Sequence, residues 1–138
     1  MKRLLVLSMA AGLGLLSACA SVGEQASGLL DLDGTAWTVS RIEQKDSATE
    51  RAATMMFEAD RLGGHTGCNH YTAPVEIDGA SLAIGMAAAT KMACLGPIME
   101  QEQQFFRALE AVDSYRVEGG ELLLVDADGQ ERLRLIEK

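Results

Sequence analysis

Apolar and polar residues alternate with a period of two along much of this chain, the pattern of strands with one buried face. Between residues 34 and 42, Trp37 and Val39 fall on one face and Thr38 and Ser40 on the other. Residues 53–59 repeat the device with Met55 and Phe57. Val75 and Ile77, then Asp78-Gly79, then Leu82 and Ile84 predict a hairpin. The C-terminus predicts an antiparallel meander: Tyr115 and Val117, a Gly119-Gly120 turn, Leu122 to Val125, an Asp128-Gly129 turn, then Leu133 and Leu135 alternating with Arg132 and Arg134.

One segment changes period. Pro97 suits the first turn of a helix, and Ile98, Phe105, Leu109 and Val112 follow at helical spacing, predicting a helix over about residues 97–112. Phe105 and Phe106 are a ligand-stacking candidate, but aromatics on an apolar stripe are more often core. One helix packed on a curled antiparallel sheet is the economical arrangement, and closing the sheet into a barrel would remove its exposed edges. The expected class is mainly β.

The first residues do not belong to that domain. Lys2 and Arg3 precede an uncharged run from Leu4 to Leu16, a targeting signal too short to span a bilayer. Leu16-Ser17-Ala18-Cys19 resembles the bacterial lipobox, which implies cleavage before Cys19 and lipidation of that cysteine. Several acyl chains anchor a protein stably. The expected organisation is a lipoprotein signal peptide at 1–18, a lipidated N-terminus and tether at 19–29, and a domain at 30–138. Ala20 and Ser21 carry no acidic retention signal, so the expected location is the outer membrane, facing the periplasm.

Charge narrows the partners. The chain has 12 basic and 20 acidic side chains, and removing Lys2 and Arg3 leaves 10 against 20, a formal charge of −10. Nucleic acid binding needs a basic footprint and is disfavoured.

The densest chemistry lies in "GGHTGCNHYT", residues 63–72. With Cys19 lipidated, Cys68 and Cys94 remain, and two cysteines in a small exported domain are candidates for a disulfide. Such a bond would close a loop of about 27 residues and contribute roughly 3.5 kcal/mol in the chain-entropy model. Two other readings stay open. His65, Cys68 and His70 with Cys94 form a zinc-type donor set, although residues 65 and 68 of one strand would point to opposite faces. Cys68 with His65 or His70 as base and Asn69 as orienter would make a thiol enzyme, although triads usually assemble from distant segments.

The ordered motifs resemble the META domain, or HslJ-like, family of small bacterial envelope lipoproteins. They are Gly34-Thr35 with Trp37, Gly67-Cys68-Asn69 with Tyr71, and Thr90-Lys91-Met92-Ala93-Cys94. Where the family often follows G-C-N with a basic residue, an aromatic and a glycine, this chain has His70-Tyr71-Thr72-Ala73-Pro74. The resemblance implies a small, calycin-like, partly open antiparallel β-barrel, the Cys68–Cys94 disulfide, and a role in stress or antibiotic tolerance without an established enzymatic activity. The expected function is therefore a non-enzymatic, lipid-anchored envelope protein with no cofactor or metal. Its partners would be the membrane, through Cys19, and an envelope protein or small apolar ligand. An anchored inhibitor of a secreted or host hydrolase is the alternative, because small acidic barrels suit basic enzymes. Tyr71 is expected to pack beside the cysteines, and His65 and His70 to lie at the surface.

Overall fold

The computed structural model of the chain describes residues 29–48 and 50–138. The expected signal peptide, Cys19 and the tether through residue 28 lie outside the described residues. The rest forms β1 (Ala36–Ile42), β2 (Lys45–Asp46), β3 (Thr54–Glu58), β4 (Arg61–His65), β5 (His70–Asp78), β6 (Ser81–Ile84), β7 (Ala88–Ala89), α1 (Gly96–Glu110), β8 (Ser114–Glu118), β9 (Glu121–Val125) and β10 (Glu131–Glu137).

The strands form one antiparallel sheet in the order β10-β9-β8-β6-β5-β4-β3-β1-β2, and β10 also pairs with β1, so the sheet curls into a ring. It is not a regular barrel. β6 meets β8 through a single residue pair, Ser81 opposite Ser114, supported by Leu82 N donating to Asp113 O and Tyr115 N to Ala80 O. The expected mainly β, partly open barrel with one packed helix is observed, and this seam is where it opens.

Alternation explains the interior. Trp37, Val39, Met55, Phe57, Tyr71, Ala73, Val75, Leu122, Leu124, Leu133 and Leu135 are buried in one cluster with Phe105 and Leu109 of α1. Leu123 points outward yet is fully buried. It stands in register between Arg116 and Arg134, whose aliphatic stems shield such a residue while their heads reach Glu118, Glu121 and Glu131.

Strand directions give the ring two ends. At one, the turns after β3, β5 and β8 gather around the incoming segment, where Asp33 Oδ1 accepts from Ala59 N at 2.6 Å and Leu30 O accepts from Tyr115 Oη at 2.7 Å. At the other lie the β4–β5 loop, the β9–β10 turn and α1.

The 63–72 segment is not one strand. It is the end of β4, a loop at 66–69 and the start of β5, with His65 paired across to His70. β2 and β7 were also not expected, and α1 ends at Glu110, two residues early, although Val112 remains buried.

Candidate functional site

The β4–β5 loop is built from its own polar atoms. Thr66 N donates to Asn69 O at 2.9 Å, while Thr66 Oγ1 accepts from the N–H groups of Cys68 and Asn69 at 3.2 and 3.0 Å. Gly67 turns the chain at φ 99°, and a Cβ there would sit 2.6 Å from both Arg51 O and Gln101 Nε2. Glycine is therefore required twice, for conformation and for close approach.

Helix α1 completes the cluster. Glu102 is buried, and its carboxylate accepts from Thr66 Oγ1 at 2.5 Å, Asn69 N at 3.2 Å and Asn69 Nδ2 at 3.0 Å. Gln101, one residue earlier, donates to Arg51 O and Thr66 O at 2.9 and 2.8 Å and accepts from Ala48 N at 2.8 Å. The Asn69 amide faces both ways: its Oδ1 accepts from Thr90 Oγ1 and Met92 N at 2.8 and 2.7 Å, and its Nδ2 also reaches Met92 O at 3.3 Å. Asn69 thus joins the loop, the helix and the 90–94 segment. Among the described residues, no buried side-chain nitrogen or oxygen lacks a partner.

Cys68 and Cys94 are joined as a disulfide, with Cα atoms 6.0 Å apart. In that state Cys68 offers no thiolate, and the two sulfurs are not free ligands, so neither the thiol-enzyme nor the zinc arrangement matches this geometry. His65 is engaged as well, its Nδ1 accepting from Gly67 N at 2.9 Å. An acceptor Nδ1 implies the Nε2–H tautomer, which has no lone pair at Nε2 for a metal. Burial, then the neighbouring His70 and Arg51, holds the His65 imidazole below its ordinary pKa. His70 is exposed as expected, its ring edge-on to His65 with centroids 4.7 Å apart, whereas His65 is half-buried.

Tyr71 belongs to the core cluster. Its ring packs on Phe105 at 4.9 Å, its hydroxyl donates to Thr54 O at 2.9 Å, and burial pushes its pKa well up. The other motif is remote, at the opposite end of the ring. Gly34 turns at φ 74°, Trp37 Nε1 donates to Thr35 Oγ1 at 2.8 Å, and Thr35 Oγ1 donates to Leu32 O at 2.6 Å. Both motifs brace the fold, and they do not form one site.

A different feature is open to solvent. Between the segment following β6 and the last turns of α1 lies an apolar cleft of about 500 Å³, lined by Ile84, Met86, Ala87, Phe106, Leu109 and Glu110. Met86 is 93% exposed at its edge. Concave apolar clefts with few polar groups are the usual form of a binding site. The sequence signal was faint: "GMAAAT" interrupts strand alternation, and of the aromatic pair only Phe105 is fully buried, while Phe106 faces the cleft.

Comparison with curated proteins found no match. Among solved structures, the chain is similar to a protein from Burkholderia xenovorans determined by NMR, with 23% identity over 78% of this chain and 83% of that one and a TM-score of 0.63. A second protein solved by NMR is 17% identical, over 77% of this chain and 91% of that one, with a TM-score of 0.61. These likenesses establish a shared fold. The model of the META domain matches residues 30–138, the whole of the expected domain, and on that match the chain belongs to the META domain family, a family of envelope-associated proteins.

Proposed function

We propose that this protein is a non-enzymatic lipoprotein, anchored through Cys19 in the outer membrane and facing the periplasm, that protects the envelope under stress by binding a protein or small apolar ligand. The observation that carries this reading is the division of labour between the two features just described. The groups with catalytic or metal-binding potential, Cys68, Cys94, His65, Asn69 and Glu102, are engaged with one another or with backbone. The apolar cleft holds exposed surface that a monomer gains nothing by leaving open. The lipobox-like Leu16-Ser17-Ala18-Cys19 supports the anchor, and the acidic balance supports a partner without nucleic acid.

The reading is tested by metabolic labelling with palmitate and by binding. Wild-type chain should incorporate label and fractionate with membranes, and Cys19→Ser should do neither. The purified lipoprotein should bind a fluorescent fatty acid or an envelope protein at the cleft, and a strain lacking it should lose stress tolerance. No binding together with unchanged tolerance would refute the proposal.

A further inference from the structure

The cleft borders an unpaired strand edge. β6 pairs with β5 from Val75 to Asp78, and β7 pairs with β5 at Tyr71 and Thr72, but beyond Leu82 no strand among the described residues lies on the side facing α1. Among the described residues, the backbone N–H groups of Met86 and Ala87 donate no hydrogen bond, and the carbonyls of Gly85, Met86 and Ala87 accept none. Proteins normally protect such an edge with charge, proline or a covering element. The opposite edge, β2, is guarded in that way: it is two residues long, both charged, and Lys45 meets Glu100 of α1 at 3.5 Å. Gly85-Met86-Ala87-Ala88-Ala89 carries no charge, and apart from Met86 its side chains are small and leave the backbone approachable.

Chemistry beside the edge limits what could join it. The cleft has room for one or two large apolar side chains against Phe106, Leu109 and Met86. Glu110 is its one charged lining residue and makes no ion pair among the described residues; Glu76, opposite Ala83 on β5, adds a second carboxylate near the edge. Added strands gain affinity from main-chain hydrogen bonds and specificity from alternate side chains.

We propose that the edge from Ile84 to Ala89 takes an extended peptide segment of a partner protein as an added β-strand, with an apolar side chain in the cleft and a basic residue at Glu110. This rests on the binding role proposed above and names the partner's chemistry.

The test uses the full chain in detergent and three probes: a blocked octapeptide alternating valine and lysine, the same peptide with alternate backbone nitrogens methylated, and hexadecanoate. The expected result is saturable binding of the first peptide and slowed amide exchange at Met86 and Ala87. N-methylation should weaken binding by tenfold or more, about the effect of one or two main-chain bonds. Glu110→Lys, an exposed change that leaves the core intact, should weaken it roughly threefold to tenfold. Equal binding of the methylated peptide overturns strand addition. Binding of hexadecanoate without either peptide overturns the peptide inference and leaves the apolar-ligand reading standing. Binding of none overturns both.

Discussion

Asn69 is the residue whose loss the fold should feel most. It satisfies Glu102 on one side and Thr90 and Met92 on the other. Asn69→Ala would strip the Nδ2 donor from the buried Glu102 carboxylate, which keeps only Thr66 Oγ1 and the residue 69 N–H, and would leave Met92 N without its acceptor, at about 1–3 kcal/mol for each loss. Urea denaturation should show a loss of about 3 kcal/mol or more, and a loss below about 1 kcal/mol would contradict the assigned role. His65 gives a prediction in pH. Its folded-state pKa lies below the ordinary value of about 6.5, so in the interval between them the unfolded chain holds a proton that the folded chain does not. Stability should therefore be full above about pH 7, decline as pH falls through that interval, and level off below the folded value. His65→Gln should flatten the melting temperature between about pH 7.5 and 5.5; an unchanged slope would place the titration elsewhere. At this scale the cysteines were legible, because compartment and pairing chemistry act through residue type. Glu102 and Gln101 were not. An apolar stripe marks a buried helix face by hydrophobicity, and these two are buried through hydrogen bonds to partners 33 or more positions away, as in Glu102 to Asn69 and Gln101 to Thr66 and Arg51.

The 90–94 segment is held twice, by the disulfide and by Asn69, and each hold should survive loss of the other. Replacing both Cys68 and Cys94 with serine should leave a folded domain weakened by about 3.5 kcal/mol, the scale set by the 26-residue separation in the chain-entropy model. A circular dichroism spectrum of an unfolded chain would show that the polar cluster does not hold the loop alone. Strand by strand, protection against hydrogen exchange should follow pairing. Amides of β1, β9 and β10, paired on both sides or at the closure of the ring, should exchange last. Those from Ala83 to Ala89, beside the seam, should exchange first among the sheet residues. Sequence pattern located β1, β3, the second half of β5, β6, β8 and β10 because each alternates, and β9 as a short apolar run, Leu122 to Val125, between two turn signals. β4 escaped because Gly63 and Gly64 leave the period unmarked. Gly64 is needed there, since a Cβ would run into the carbonyl of Thr54. β2 and β7 are two residues each, too short for any period to register.

At the scale of the whole molecule, the ring separates two kinds of surface. The chain arrives at the end bearing the turns after β3, β5 and β8, while the disulfide, α1 and the cleft gather toward the other. The anchor proposed at Cys19 would join the domain at the first end, away from the cleft. Closure of β1 on β10, between the two ends of the domain, was beyond local pattern, because it depends on which distant edges meet. The most direct test of the proposed function is photo-crosslinking in the native envelope with a photoreactive residue at Met86, compared with the same residue at Asp128, in the β9–β10 turn. The account predicts a defined adduct from position 86, found in the membrane fraction and diminished by Glu110→Lys. No adduct at position 86, or the same adducts from both positions, would contradict it.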